Sequence, residues 1–353
     1  MSALFRRLDP FMLQLLTVVS FAALLPARGE AAEWVGYGTS AGVALLFFLH
    51  GAKLAPRAVL GGLLHWRLQG LVVLATYGLF PLFGLGITTL LGGWLPPALT
   101  LGLLYVCVLP STVQSSIAFT SVAGGNVPAA LCAATLSNLA GMLLTPLMVA
   151  LLLNSQGAGG FSGQAVIDIC LHLLLPFALG QAARPLIGAF LTRHKPVVSL
   201  VDRGSILLAV YSAFSEGMVA GIWHQMSTGT LALVMALCAV LLAGVMLCTW
   251  GASRALGFRQ PDEVVAVFCG SKKSLASGIP MANILFPAAS LGMIVLPLML
   301  FHQIQLFLCA WLARRYASRA EAMAKAAEAP ANQAPANQAP ANQVPATAQP
   351  GMA

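Results

Sequence analysis

Apolar residues run along this chain in long blocks rather than in stripes. Ten blocks, at roughly 10–27, 34–52, 70–91, 98–121, 127–153, 164–190, 204–223, 230–252, 263–286 and 288–313, are set apart by polar residues, Pro or Gly. A helix rises 1.5 Å per residue and needs about 20 apolar residues to cross a bilayer. The pattern therefore predicts an all-α membrane protein with ten transmembrane helices. Two blocks are interrupted. In the fourth, Pro110 precedes Ser111, Thr112, Gln114, Ser115 and Ser116; in the ninth, Gly270, Gly278 and Pro280 bracket "SKKSLA" from Ser271. Irregular backbone at membrane depth is tolerated only where protein or a water-filled cavity surrounds it. These two blocks are expected to be discontinuous helices.

The interrupted blocks fall in register in an internal repeat. "GMLLTPLM" (Gly141–Met148) returns as "GMIVLPLM" (Gly292–Met299), in the fifth and tenth blocks, each following a polar cluster. Two units of five spans enter the membrane in opposite senses, which is the inverted-repeat plan of many secondary transporters, with the binding site at paired helix breaks near the midplane.

Composition sharpens this picture. Of 353 residues, 59% are hydrophobic and 8% are charged, against about 25% charged in a soluble domain. The net charge of +8 is no nucleic-acid footprint, because the basic residues sit singly or in pairs between apolar blocks. With both termini cytoplasmic, fifteen of the eighteen Lys and Arg fall on the inner side, Arg28 alone falls outside, and Lys272 and Lys273 lie within a span. That bias sets the orientation. The seven cysteines all lie in apolar blocks with no metal-ligand spacing, so they read as small core residues. The N-terminal block, with no small-residue cleavage site, reads as a first span. Residues 316–329 extend the last helix, and 330–353, carrying "APANQAPANQAPANQ", read as a disordered tail.

Three segments carry a resemblance to a known family: "GGNVPAALCAATLSNLAGMLLTP" (Gly124–Pro146), "YSAFSEGMVAGIW" (Tyr211–Trp223) and "GSKKSLASGIPMA" (Gly270–Ala282). Over about residues 8–315 the chain resembles the bile acid/sodium symporter superfamily, in its divergent branch of bacterial sodium-dependent transporters and their vertebrate relatives. The resemblance implies ten helices in two inverted repeats of five. Spans 1, 2, 6 and 7 would form a panel, and spans 3–5 and 8–10 a core in which the discontinuous helices four and nine cross. It also implies inward transport of organic anions with sodium, in a multi-pass protein of the bacterial inner membrane. The carry-over of sodium ligands is uneven. The Ser-Asn pair of the family's fourth helix matches Ser115 and Ser116. Two hydroxyl ligands fall on Ala130 and Ala134, the acidic ligand on Phe268, the following Gln and Asn on Lys272 and Lys273, and a third-helix Gln nearest Thr76.

A lysine at mid-depth costs about 2.5–3.5 kcal/mol on the most lenient insertion scale, and intramembrane ionisable residues are usually functional. An ammonium among oxygen ligands can occupy a cation's place with its own charge. Lys272 is therefore expected to be a resident cation at the crossing, and a buried lysine can also release its proton and couple transport to pH. Adjacent helical positions point about 100° apart, so Lys273 is expected to face the cavity and attract an anion. Glu216, beside Ser212 and Ser215, is a candidate cation or proton site or a counter-ion for Lys273; a static pair joining two helices is the plainer alternative. The candidate substrate and coupling-ion site is thus Lys272, Lys273, Ser271, Ser274, Ser115, Ser116, Gln114, Thr76 and Glu216. Asp168 and His172 read as an interfacial acid and a satisfied histidine, His50 and His302 as weak candidates, and His65 and Trp66 as interfacial residues.

No organic cofactor or fixed metal is expected. Sodium is implied by the resemblance and weakened by the missing ligands. The leading reading is a secondary transporter of a small organic anion working by alternating access, nominally a sodium symporter. A proton-coupled or uncoupled carrier with Lys272 in sodium's place is the alternative, and a channel-like or regulatory membrane protein a further one. Hydrolysis by a Ser271–Lys272 dyad is disfavoured, since the two side chains diverge and Ser271 is not set in a GxSxG motif. The partners expected are a small anion and the lipid bilayer; substrate and oligomeric state stay open.

Overall fold

The computed structural model describes residues 10–53, 65–154, 163–219, 221 and 227–328. All of the regular structure among them is helical. The first helices are α1 (Pro10–Leu24) and α2 (Glu30–Lys53). Then α3 (Trp66–Leu74) runs through a π turn, Ala75–Leu79, into α4 (Phe80–Leu91). Next come α5 (Pro97–Val108), α6 (Gln114–Val122), α7 (Val127–Asn154), α8 (Gly163–Arg193) and α9 (Lys195–Val219). The chain continues with α10 (Thr228–Ala255), α11 (Gln260–Gly270), α12 (Leu275–Leu285) and α13 (Ala288–Glu328).

Seven helical segments among the described residues are long and apolar enough to cross a membrane: Glu30–Lys53, Trp66–Trp94, Val127–Leu152, Leu173–Arg193, Lys195–Val219, Thr228–Ala255 and Ala288–Arg319. Leu13–Leu24 and Pro97–Val108 are shorter apolar helices. The fourth and ninth apolar blocks are divided as their punctuation suggests, into α5 and α6 around Leu109–Val113 and into α11 and α12 around Ser271–Ser274. Leu109 turns extended because Pro110 cannot continue the hydrogen-bond ladder. Ser274 restarts the second pair as an N-cap whose hydroxyl accepts from the Ser277 N–H.

Helix ends do not coincide with the hydropathy boundaries: α1 stops short of its block, whereas α2 and α9 begin before theirs. The seventh block was read from 204, yet α9 begins at Lys195. Hydropathy marks where the chain leaves apolar surroundings, whereas backbone hydrogen bonding continues through the polar turns beyond.

Helix contacts run through the whole molecule, and α9 packs on α12 and α13. Helix α2 packs on α8 and α9, and α9 packs on α1; α13 packs on α5 and α10, and α11 on α3, α6 and α7. The contact of α2 with α8 is close enough to require glycine. A Cβ on Gly51 would stand 2.0 Å from the Phe177 carbonyl oxygen, and one on Gly180 would stand 1.9 Å from that of Phe48. Lipid tails give no hydrophobic drive between helices, so such small-residue contacts supply the packing. The C-terminal repeat beyond residue 329 lies outside the described residues, as do the side chains of Asp168 and His172.

Candidate substrate and coupling site at the helix breaks

A broken helix in a membrane leaves carbonyls with no helical partner, and each must find a donor. At the first break every one from Val108 to Ser111 does. Val108 accepts from the Thr145 hydroxyl at 2.8 Å, Leu109 from Lys273 Nζ at 2.7 Å, Pro110 from the Ser274 N–H at 2.9 Å and Ser111 from Asn138 Nδ2 at 2.8 Å. The second break is met in return, Ser111 Oγ donating to the Cys269 carbonyl at 2.7 Å, and the Tyr105 hydroxyl donates to the Gly278 carbonyl within α12 at 2.6 Å. The two breaks thus lie against each other and complete each other's hydrogen bonding.

Lys273 sits at the centre of this exchange. Its Nζ donates to the carbonyls of Thr76 (2.8 Å), Cys107 (2.8 Å) and Leu109 (2.7 Å), and lies 4.0 Å from the centroid of the Phe80 ring. Prolines explain why these oxygens are available. In the π turn the Phe80 N–H bonds back to Ala75, and Pro81, five residues after Thr76, has no N–H to offer. Pro110, three residues after Cys107, has none either, and the Ser111 N–H goes to Ser137 Oγ at 2.9 Å. Three N–H donors of one ammonium meet three orphaned acceptors. The main chain of Lys273 is held as well: its N–H donates to Gln305 Oε1 at 2.9 Å, and Gln305 Nε2 donates to its carbonyl at 3.0 Å.

Lys272 takes a different environment. Its Nζ donates to the Ser115 carbonyl at 2.9 Å and stands 4.1 Å from the Phe119 ring centroid and 5.2 Å from that of Phe268. Both lysines are 0% exposed. The expectation that Lys273 faces a cavity is therefore not met, and it is Lys273, rather than Lys272, that has the oxygen cage.

The remaining candidates divide. Thr76 meets Lys273 through its carbonyl, while its hydroxyl bonds to Val72. Ser116 Oγ lies 3.4 Å from the Phe268 carbonyl, Ser271 bonds within its own helix to Val267, and Ser274 caps α12. Glu216 stands apart: its Oε1 accepts from Ser212 at 3.3 Å and its Oε2 has no hydrogen-bond partner, so the carboxylate is no counter-ion for the caged Lys273. Gln114 and Ser115 line a cavity of about 710 Å³ together with Phe47, Phe119, Asn138 and Ser277. Sequence reasoning missed Gln305, Phe119 and the carbonyl acceptors of Cys107 and Leu109; a proline placed three residues after a buried carbonyl, as Pro110 is after Cys107, is the signal that could have found the first of these acceptors.

Sodium would find little here. The positions that the resemblance assigns to side-chain ligands hold methyl groups at Ala130 and Ala134 and a ring at Phe268, all 0% exposed. The carbonyl oxygens that could replace them are already donated to by an ammonium. The residues present do not fit the implied ion.

A multi-pass helical membrane protein with paired helix breaks around buried charge has features found in many secondary transporters. The chain belongs to the SBF-like CPA transporter family, whose profile matches residues 9–318; within the bile acid/sodium symporter superfamily this is a family of transporters, not enzymes. It is 52% identical to the Escherichia coli (strain K12) protein named "Putative symporter YfeH" over 324 residues, 91% of this chain and 96% of that protein. It is 51% identical to the Pseudomonas aeruginosa protein PA2026 over 321 residues, 90% of this chain and 96% of that one. More distantly it is 27% identical to sodium/bile acid cotransporter 7 of Danio rerio over 312 residues, 86% and 91% of the two chains.

Proposed function

We propose that this protein is a secondary carrier of a small organic anion, working by alternating access, in which lysine ammoniums replace the coupling cations of sodium-dependent relatives. The observation that carries this reading is the Lys273 ammonium, with all three N–H donors on main-chain carbonyls at 2.7–2.8 Å. Lys272 adds a second fixed charge against Ser115. The carrier works without bound sodium, either uncoupled or coupled to protons.

The rest of the architecture follows the same reading. Ten spans form two inverted repeats, with α1, α2, α8 and α9 as the panel and α3–α7 with α10–α13 as the core. Both termini face the cytoplasm of a bacterial inner membrane, on the side holding Lys53, Arg184, Lys195 and Arg203. The 710 Å³ cavity between panel and core is of the size that ligand sites take, about 300–1,000 Å³, and is the substrate site.

Counterflow of radiolabelled taurocholate and benzoate into proteoliposomes tests the reading. Saturable counterflow at equal rates in sodium and potassium supports it; no counterflow of either anion removes it. Sodium symport is the second reading, favoured by the names of the distant relatives. It requires counterflow, and thermal stability of the purified protein, to rise in sodium.

A further inference from the structure

Since both intramembrane lysines are 0% exposed and neither lines the cavity, an anionic cargo must find its positive partner elsewhere on the cavity wall. A second cavity, of about 850 Å³, lies beside the first. Lys53, Gln114, Ser199 and Asp202 line both, so they stand at the neck between them. The walls of the two cavities carry Lys53, Arg184, Lys195 and Arg203 against a single carboxylate, Asp202. A low-dielectric cleft lined by one sign of charge concentrates ions of the other.

At the neck, Lys53 of α2 is ion-paired with Asp202 of α9. The pair is neither sealed nor complete. The Lys53 side chain is 34% exposed, in contrast to the two enclosed lysines. Only one Asp202 oxygen is engaged; the other, Oδ1, is buried without a hydrogen-bond partner. A carboxylate held by one contact is readily displaced by another anion. Below the neck the cavity wall is largely apolar, with Leu46, Phe47, Leu131, Met142, Phe177 and Met281.

We infer that Lys53 is the anion anchor of the transport cavity, and that Asp202 is the internal anion which the cargo's carboxylate or sulfonate displaces from it. The acid group of the cargo exchanges with Asp202 at the neck while the rest of the cargo fills the cavity beneath. This rests on the carrier function proposed above. The plainer role of the pair, pinning α2 to α9, makes the opposite demand on Asp202. A structural clamp loses by Asp202→Asn, whereas an internal competitor frees Lys53 when it is neutralised.

The test is the KM for taurocholate counterflow in proteoliposomes holding full-length protein. Lys53→Met should raise it by about tenfold or more, the loss of a charge-assisted contact. Lys53→Arg should keep it near the wild-type value, and Asp202→Asn should lower it several-fold. An unchanged KM in Lys53→Met, or a KM in Asp202→Asn that is unchanged or raised, overturns the anchor while leaving the carrier intact. Absence of counterflow in the wild type defeats the carrier reading itself, and the anchor with it. Asp202→Asn is expected to improve binding, so a result in the expected direction cannot come from misfolding.

Discussion

The ammonium of Lys273 lies 2.8 Å from the carbonyl oxygen of Thr76, a residue 197 positions earlier in the chain. The oxygen is accessible because a π turn and Pro81 together withhold every backbone N–H that could have taken it. A charge that would be costly in the membrane and an acceptor that would be costly without a donor cancel each other's penalty.

Removing that charge should be expensive. Lys273→Met leaves the carbonyls of Thr76, Cys107 and Leu109 without their donor, and an orphaned buried acceptor costs about 1–3 kcal/mol. The variant is expected to melt well below the wild type. A cage emptied of its ammonium but still lined with oxygens should also respond to sodium, with a Tm higher in sodium than in potassium at equal ionic strength. A cation-independent Tm in Lys273→Met would mean that the cage is not a cation site.

Lys272→Met should separate from it. This ammonium gives up one hydrogen bond and two ring contacts, and a neutral side chain of similar length avoids the cost of burying charge. The expected outcome is a Tm within a few degrees of wild type together with a lost or altered counterflow rate. An unchanged rate would assign Lys272 no part in transport.

Pro81→Ala offers a gain of stability at the expense of function. Alanine is favoured over proline inside a helix by about 3 kcal/mol, and its N–H can reach back to the carbonyls that the proline leaves open. The Tm should rise, while competition for Thr76 loosens Lys273 and slows counterflow. A faster-melting variant, or one with an unaltered rate, would refute this account of the π turn.

Gln305→Leu takes both partners from the Lys273 main chain. With one donor and one acceptor orphaned, destabilisation of about 2–5 kcal/mol is expected, read as a lowered Tm. Gly51→Ala should be comparably harmful because its methyl would meet the Phe177 carbonyl at 2.0 Å, whereas Gly36→Ala, with nothing within 4 Å, should be silent.

How much of this was written in the residues depends on what kind of atom does the work. The apolar blocks and the breaks at Pro110 and at the lysine run were legible, because residue types mark them, and the family resemblance drew Ser115, Thr76 and the two lysines into one candidate site. The division of labour between the lysines was not. Helical geometry places them about 100° apart, but both stand at a break where helical geometry no longer applies. The cage around Lys273 is made of main-chain oxygens, which no residue type announces. Gln305 is a lone amide in an apolar block, and its role depends on packing α13 against the break rather than on any local pattern. The Lys53–Asp202 pair was not legible, because only the packing of α2 on α9 brings together two charges 149 residues apart.

The distance in sequence between Thr76 and Lys273 also sets a timetable for biogenesis. Chain synthesis delivers α3–α4 and α5 to the bilayer long before α11 and α12, so their unpaired oxygens must wait for a charge not yet made. Until it arrives the first half is an unfinished product, held open at its centre, and the last helices close it from within. A ribosome-released fragment ending before Gln260 is therefore expected to be cleared by membrane proteases faster than the full chain, even though its spans insert normally.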